Sequence, residues 1–448
     1  MYILSFDFGT SSVKIAVLNE KLDTVQKTKK EYFYTVIEND QVEIDPVMVF
    51  QAAVAGVREL NNDYLEKIDI ITFDVFSPSL VALDEEGNPV YPCILHLDRR
   101  SRAQSQEIIT RFGKQEFMGI TGVLPFAGGV SITSLLWLKE NRPAIYRQTY
   151  KFGHFNTFIF KKLTGHWGID PVNASMTGLY ETTTWGSWSK EICTAFGIST
   201  SKLPEIYETG TMIAGLKEKV SREFGLKAGI PVLLGSNDAA TGILGAGIVE
   251  NGDILNIAGS NEILTILTNK PVINEGYYLR NSLFPGKWQI FSVNIGGFAL
   301  EWFRQLAYSE MDRGYFYETL IREIIDGESS KGFVRPTVKF KPYLAGDRHS
   351  LEVRRGVFTD LTLSTTRDEM LKAILCGINE HIINSIEIAR QFLTLNRKII
   401  ITGGLAETPY LKVKEKILPE FTFEFKQRCT TVGNGKLALS ALNSMANN

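Results

Sequence analysis

Two stretches of this chain share one layout. Tyr2 to Phe8 is an apolar run, Gly9-Thr10-Ser11 follows, and Val13, Ile15 and Val17 then recur at the two-residue period of a strand. Asn256-Ile-Ala-Gly-Ser-Asn-Glu-Ile-Leu-Thr-Ile-Leu267 runs the same way, with Gly259-Ser260 falling on Gly9-Thr10. Strand, tight turn, strand is therefore expected twice. A duplicated unit accounts for the repetition, and so does the commonness of Gly-turn hairpins; the pattern alone leaves both readings standing.

The segments after each hairpin narrow the fold class. Thr24 to Tyr34 reads as a strand, and Asp45-Pro46 supplies a helix cap and first helical position ahead of Val47, Phe50, Val54, Val57 and Leu60 at helical spacing. Ile68 to Phe73 is a further strand. In the second half a strand at Trp288 to Val293 precedes a helix through Gly297 to Leu306. A long apolar stripe from Leu371 to Ile386 then leads into the buried-type strand Lys398 to Thr402 and Gly403-Gly404. Strands and helices mixed in this way predict α/β layers. At 448 residues the chain exceeds one ordinary core, so two domains are expected. No Pro-rich or Ser-rich linker marks a boundary, and the restart of the pattern divides the chain into residues 1–243 and 244–448.

Composition excludes several classes of function. The formal charge of −2, with no long Lys/Arg run, argues against nucleic acid as a partner. Cys93, Cys193, Cys376 and Cys429 form no Cys-x-x-Cys pair, so neither zinc nor a disulfide framework is suggested, and a reducing cytoplasm fits. Asp7 interrupts the first apolar stretch, and no segment approaches the roughly 20 apolar residues of a membrane span. No signal peptide, membrane anchor or membrane partner is expected. His96, His154, His166, His349 and His381 lack metal-ligand spacing, and neither a Gly-x-Ser-x-Gly elbow nor a Walker-type Gly-Lys-Ser/Thr loop is present.

Three small-residue turns could hold phosphates. Glycine lets backbone N–H groups approach an anion closely, and Gly9-Thr10-Ser11 adds hydroxyls. Asp7, at the end of the first strand, could hold a hydrated Mg²⁺, with Lys14 nearby as a phosphate ligand or a solvated charge. Gly259-Ser260 could close on phosphates from another side, and Gly403-Gly404 could admit adenosine; each pair alone reads more readily as structural glycine. Pro231-Val-Leu-Leu-Gly-Ser-Asn-Asp238 is a buried strand running into an acid and then a small-residue helix. Asp238 is there either a helix cap or a general base placed to accept the proton of an attacking hydroxyl.

Taken together, Asp7-Phe-Gly-Thr-Ser-Ser-Val-Lys14, Gly235-Ser-Asn-Asp238 with Gly242, Gly245 and Gly247, Pro342-Tyr-Leu-Ala-Gly-Asp-Arg348 and Thr402-Gly-Gly404 resemble the FGGY carbohydrate kinases. These lie within the superfamily of actin, hexokinase and the heat-shock ATPases. Leu163-Thr-Gly165, Asp170 with Ala174-Ser175, and Leu203-Pro204 add to the likeness, which covers nearly the whole chain. The resemblance implies two ribonuclease H-like domains, each a mixed five-stranded sheet flanked by helices, around a deep cleft. Sugar would be held mainly by the first domain and ATP by the second. It implies Asp238 as catalytic base and Asp7 beside Mg²⁺. Phosphate and nucleotide contacts fall at Gly9, Thr10, Ser11, Lys14, Gly259, Ser260, Gly403 and Gly404, and sugar contacts at Ser79, Asp98, Arg100 and Asp238. The implied substrate is a small sugar, sugar acid or polyol, xylulose-like or gluconate-like, and homodimers are common in the family.

The chain also departs from that pattern. His96-Leu-Asp98-Arg-Arg100 keeps the Asp and Arg of Trp-x-Asp-x-Arg without its Trp, Ala239 stands where many members place Asn or Gln, and Pro78 where several have His. Ser134, Asp360 and Cys376 alter the two family signatures. Leu405 replaces a third Gly, and the late Ala-Asp-x-x-Gly-x-Pro stretch is missing. These departures motivate a rival reading, a nucleotide-binding regulatory protein that kept the fold without the transfer.

Overall fold

A computed structural model describes residues 1–38, 40–326, 335–344, 346–347 and 350–446. Of the positions singled out above, Ala345, Arg348 and His349 lie outside the described residues. The chain forms two compact units that are not contiguous in sequence. The first comprises Met1–Gly247, Leu279–Trp288 and the C-terminal helix Cys429–Ala446; the second comprises Ile248–Tyr278 and Gln289–Arg428. The main break in the chain falls at Gly247, and the last helix belongs with the first unit.

In the first unit, Tyr2–Phe8 and Ser12–Asn19 pair antiparallel through the Gly9-Thr10-Ser11 turn, and Thr24–Glu31 extends the meander. On the other side Tyr2–Phe8 lies parallel to Ile68–Val75, which lies parallel to Pro231–Leu233. Met212–Gly215 borders that strand, and the two-residue strand Ser236–Asn237 also pairs with Ile68–Val75, giving seven strands rather than the expected five. One face carries Phe6, Phe8 and Ile15, which pack with Phe50 and Val54 of the helix Pro46–Val57 and with Phe155 and Phe158 of the helix Phe155–Thr164. Asp45 caps the first of these helices by accepting from the Val47 N–H, with Pro46 in its first turn, as the sequence predicts. The opposite face carries Ile3, Leu18, Ile70 and Leu233, covered by Ala438 and Leu437 of the C-terminal helix. A separate five-stranded sheet contains Ser79–Leu83 and Pro89–Leu95.

The C-terminal helix also meets the helix Asp238–Ala246 at backbone contact distance. A Cβ on Gly245 would lie 1.7 Å from the Cys429 carbonyl oxygen, and one on Gly433 1.9 Å from that of Thr241. Glycine is required at both positions.

The second unit repeats the first sheet's plan. Ile254–Ala258 and Asn261–Thr268 form the antiparallel hairpin, Lys398–Thr402 lies parallel to Ile254–Ala258, and Thr422–Phe425 lies parallel to Lys398–Thr402. Trp288–Ile295 flanks the hairpin on the side that Thr24–Glu31 takes in the first sheet. The recurrence of the hairpin together with the same strand order favours the duplicated-unit reading over two unrelated hairpins. The helix Arg367–Arg390 buries Leu371, Ile374, Ile378, Ile382 and Ile386 in this unit's core. No helix among the described residues is long and apolar enough to cross a membrane.

Candidate active site

The strand ends of the first unit bring three carboxylates together. Parallel pairing sets Asp7 beside Asp74, and Asp74 beside Ser236, two residues before Asp238. Asn237 caps the next helix, its side chain accepting from the Ala240 N–H at 2.9 Å. The capping role weighed for Asp238 therefore belongs to its neighbour. Asp238 occupies the first helical position, half-buried, and accepts from the Ala239 N–H at 2.7 Å. Burial above all, then the Asp7 carboxylate, pushes the Asp238 carboxyl up to about 6, against the opposing pull of the Ala239 N–H, Arg280 and Lys14.

Asp7 is paired with Lys14 across the hairpin at 3.0 Å, and Asp7, with smaller contributions from Asp74 and Asp238, raises the Lys14 ammonium. Two hydrogen bonds hold the turn between them: the Gly9 N–H donates to the Ser12 carbonyl at 2.9 Å, and the Tyr32 hydroxyl donates to the Gly9 carbonyl at 2.7 Å. The N–H groups of Thr10 and Ser11 remain outside the turn's own bonding.

Asp74 went unnoticed in the sequence because it reads as one polar residue at the end of an apolar run. It is fully buried, its Oδ2 accepts from Asn434 of the C-terminal helix, and its Oδ1 has no partner among the described residues. Burial, then Asp7 and Asp238, holds its carboxyl well above the usual carboxylate range. Arg280, buried in the segment Leu279–Trp288, is a second residue that the sequence did not flag, and its positive field reaches both Asp238 and His154.

A buried polar chain runs up to the same place. Asp170 accepts from Ser236 at 2.6 Å, Thr209 at 2.8 Å, Asn156 at 3.0 Å and the Asn173 amide at 2.7 Å. Asn173 Oδ1 accepts from the Ser77 hydroxyl at 2.5 Å and lies 3.3 Å from His154 Nδ1, whose ring meets Ser131 at 2.6 Å. Burial lowers the His154 imidazole to about 3, so this chain is neutral around a single buried acid.

The other residues expected to touch sugar stand apart from the carboxylates in their bonding. Asp98 accepts from the Val42 N–H at 2.6 Å and from Arg100 Nε at 2.8 Å; Arg100 also donates to Glu43 at 2.6 Å and covers the Trp137 ring. This is a closed, buried ion-pair network. The Ser79 hydroxyl is buried and accepts from the Phe155 N–H at 3.1 Å, at the start of a helix.

In the second unit a cavity of about 540 Å³ is lined by Gly259, Ser260, Phe298, Tyr317, Gly404 and Leu405, among others. Gly403 and Gly404 divide their work. Gly403 has φ of 102°, and a Cβ there would lie 2.4 Å from the Ala258 carbonyl, so it packs against the first strand of the hairpin. Gly404 faces the cavity. Among the described residues no cluster of three His, Cys, Asp or Glu side chains could hold a metal by itself.

The family of carbohydrate kinases called FGGY has an N-terminal domain whose pattern matches residues 2–245, more than half of the chain. This protein belongs to that family. FGGY kinases are phosphotransferases, and so is this enzyme. It is 28% identical over 424 residues to a xylulose kinase of Staphylococcus xylosus, covering 93% of this chain and 86% of that one. It is likewise 28% identical over 391 residues to a gluconokinase of Bacillus subtilis, covering 84% and 74% respectively. Among solved structures, a ligand-bound xylulose kinase from Lactobacillus acidophilus superposes with a TM-score of 0.86 at 21% identity, covering 99% of this chain and 90% of that one. A gluconate kinase from the same organism superposes at 0.85 and 21%, covering 99% and 89%. At such identities the two structures speak for the fold alone.

Proposed function

We propose that this FGGY kinase transfers the γ-phosphoryl group of ATP to a hydroxyl of a small sugar or sugar acid, with Asp238 as the general base. One observation carries the assignment. Asp238 stands at a strand end, is relieved of capping by Asn237, and has its carboxyl raised to about 6, where it is ionised at neutral pH yet basic enough to accept a proton. As the sugar hydroxyl attacks, its proton passes to the Asp238 carboxylate. The Thr10 and Ser11 N–H and hydroxyl groups donate to phosphate oxygens, and Lys14 adds a positive charge. Gly259, Ser260 and Gly404 bound the space for the nucleotide.

Mg²⁺ fits Asp7: this carboxylate is partly exposed at the strand end, with an ammonium on one oxygen, and Mg²⁺ needs only one or two carboxylates beside phosphates and water. When bound, it neutralises phosphate charge. Asp98 and Arg100 face each other in their own ion pair, while the half-buried Ser77 stands on the polar chain that ends at Ser236, two residues before Asp238.

Xylulose-like ketoses and gluconate-like acids are the first substrates to try, since relatives of both names match along most of the chain. The test is ADP release from ATP and Mg²⁺ across a panel of ketoses, aldonates and polyols. Release that depends on one of these acceptors supports the proposal; release with none of them, or equally without any, contradicts it.

A further inference from the structure

Two residues on in the chain from the cavity-lining Ser260 and Thr408, Glu262 and Tyr410 belong to a buried charged cluster. Glu262, two residues past Ser260, is fully buried, and Lys414 is 1% exposed at its side chain. Lys414 Nζ donates to Glu262 Oε1 at 2.6 Å, and Asn256 Nδ2 donates to the same oxygen at 2.6 Å. The Tyr410 hydroxyl donates to Oε2 at 3.2 Å and accepts from Asn379 Nδ2 at 2.8 Å. Both carboxylate oxygens are thus satisfied, and the ammonium has its counter-charge.

The connectivity gives the cluster its meaning. Glu262 pairs with Ala258 across the hairpin that makes the Gly259-Ser260 turn. Tyr410 and Lys414, one helical turn apart on the helix Tyr410–Ile417, follow the Gly404–Glu407 turn directly. Asn379 anchors the cluster to the long helix Arg367–Arg390. One carboxylate therefore ties together the hairpin and the helix whose glycine turns contribute Gly259, Ser260 and Gly404 to a single cavity. Burying a charge pair costs desolvation that an apolar pair of the same volume would avoid, so packing alone does not call for it. A directional clamp does.

We infer that Glu262, with Lys414 and Tyr410, is a positioning device that sets the spacing of the Gly259-Ser260 and Gly403-Gly404 turns and thereby the affinity for ATP, without touching the nucleotide. The inference rests on the reading of this cavity as the nucleotide site. Loosening the clamp changes the fit of the nucleotide and leaves the sugar and the base of the first unit unaltered.

The experiment uses full-length protein, with ATP binding by calorimetry beside steady-state kinetics. E262L/K414M replaces the pair by apolar residues of similar volume, a kind of exchange that buried ion pairs often tolerate. It is expected to raise both the ATP Kd and KM about tenfold, a modest share of the roughly hundredfold that misplacing a site can cost, while the sugar KM stays within about twofold. A role in stability alone would lower Tm or the active fraction and leave the ATP KM unchanged. Y410F, which removes only a hydroxyl, tests the same point should the double variant not fold, and is expected to raise the ATP KM by a smaller factor. S260W fills the cavity itself and serves as the control. If S260W weakens ATP binding but the folded clamp variants bind as the parent does, the clamp is overturned alone. If S260W has no effect on ATP binding, the reading of the cavity is overturned and the clamp falls with it.

Discussion

Asp238 combines two properties that pull in opposite directions. Its carboxyl is raised to about 6 mainly by burial, which makes it a better base and a less comfortable anion. Replacing it by Asn is expected to lower kcat by about 10²–10⁴-fold, the usual contribution of a general base, with ATP binding retained by calorimetry. Substantial remaining turnover would show that another group takes the proton. In the parent, kcat/KM for the sugar should fall about tenfold per pH unit below about pH 6, since only the ionised base accepts a proton. The stability effect has the opposite sign. The folded state binds this proton more tightly than the unfolded chain, so between the ordinary carboxylate value near 3.8 and about 6 the group's contribution to stability declines as pH rises. At neutral pH, D238N should therefore be the more stable protein, by on the order of 1 kcal/mol after allowance for the carboxyl's partial exposure, and thermal unfolding at pH 7 checks it. At this scale the sequence was legible where a residue sits inside a local pattern: Asp7, the Gly9 turn and Asp238 are each announced by their neighbours. Asp74, Arg280 and Asn434 are not, because their surroundings come from strand pairing and helix docking across hundreds of positions. Asp98 and Arg100 are visible as a motif, but whether they face a ligand or each other depends on Glu43 and Trp137, which no spacing reveals.

The helix that begins at Asp238 is placed by contacts at its far end as well as by its cap. Gly245 and Gly433 let it touch the C-terminal helix backbone to backbone, and a methyl at Gly245 would run into the Cys429 carbonyl at 1.7 Å. G245A is expected to force the two helices apart, costing about 1–3 kcal/mol of stability and lowering kcat even though no site residue has changed. Chemical denaturation together with kinetics separates the two effects. N237A should cost about 1 kcal/mol by removing the cap, and should also let Asp238 take over capping, which would lower its pKa and move the acid limb of the pH profile downwards. An unchanged limb would mean that Asp238 keeps its position without Asn237. Most of these elements could be read from periodicity, including the Pro46 helix, the Lys398–Thr402 strand and both hairpins. The short strand Ser236–Asn237 could not, since two residues carry no period and only the pairing with Asp74 and Val75 defines them.

At the scale of the molecule, the restart of the pattern correctly signalled two sheets of like plan, but an order in sequence could not show that the chain returns to its first unit. The apolar face formed by Ile3, Leu18, Ile70 and Leu233 stays uncovered until Ala438 and its neighbours arrive. Deleting residues 429–446 should therefore yield a protein that exposes this face, binds a hydrophobic dye and has no kinase activity. A soluble, active truncation would show that the sheet is complete without the helix. The same return path orders events during synthesis. Domains usually fold as they leave the ribosome, amino-terminal first. Here the half that holds Asp238 begins first and is finished last, because Asn434 reaches Asp74 only after the second unit has been translated. A nascent chain released early would carry Asp238 on an unfinished scaffold, so activity is expected only of chains translated past Asn434.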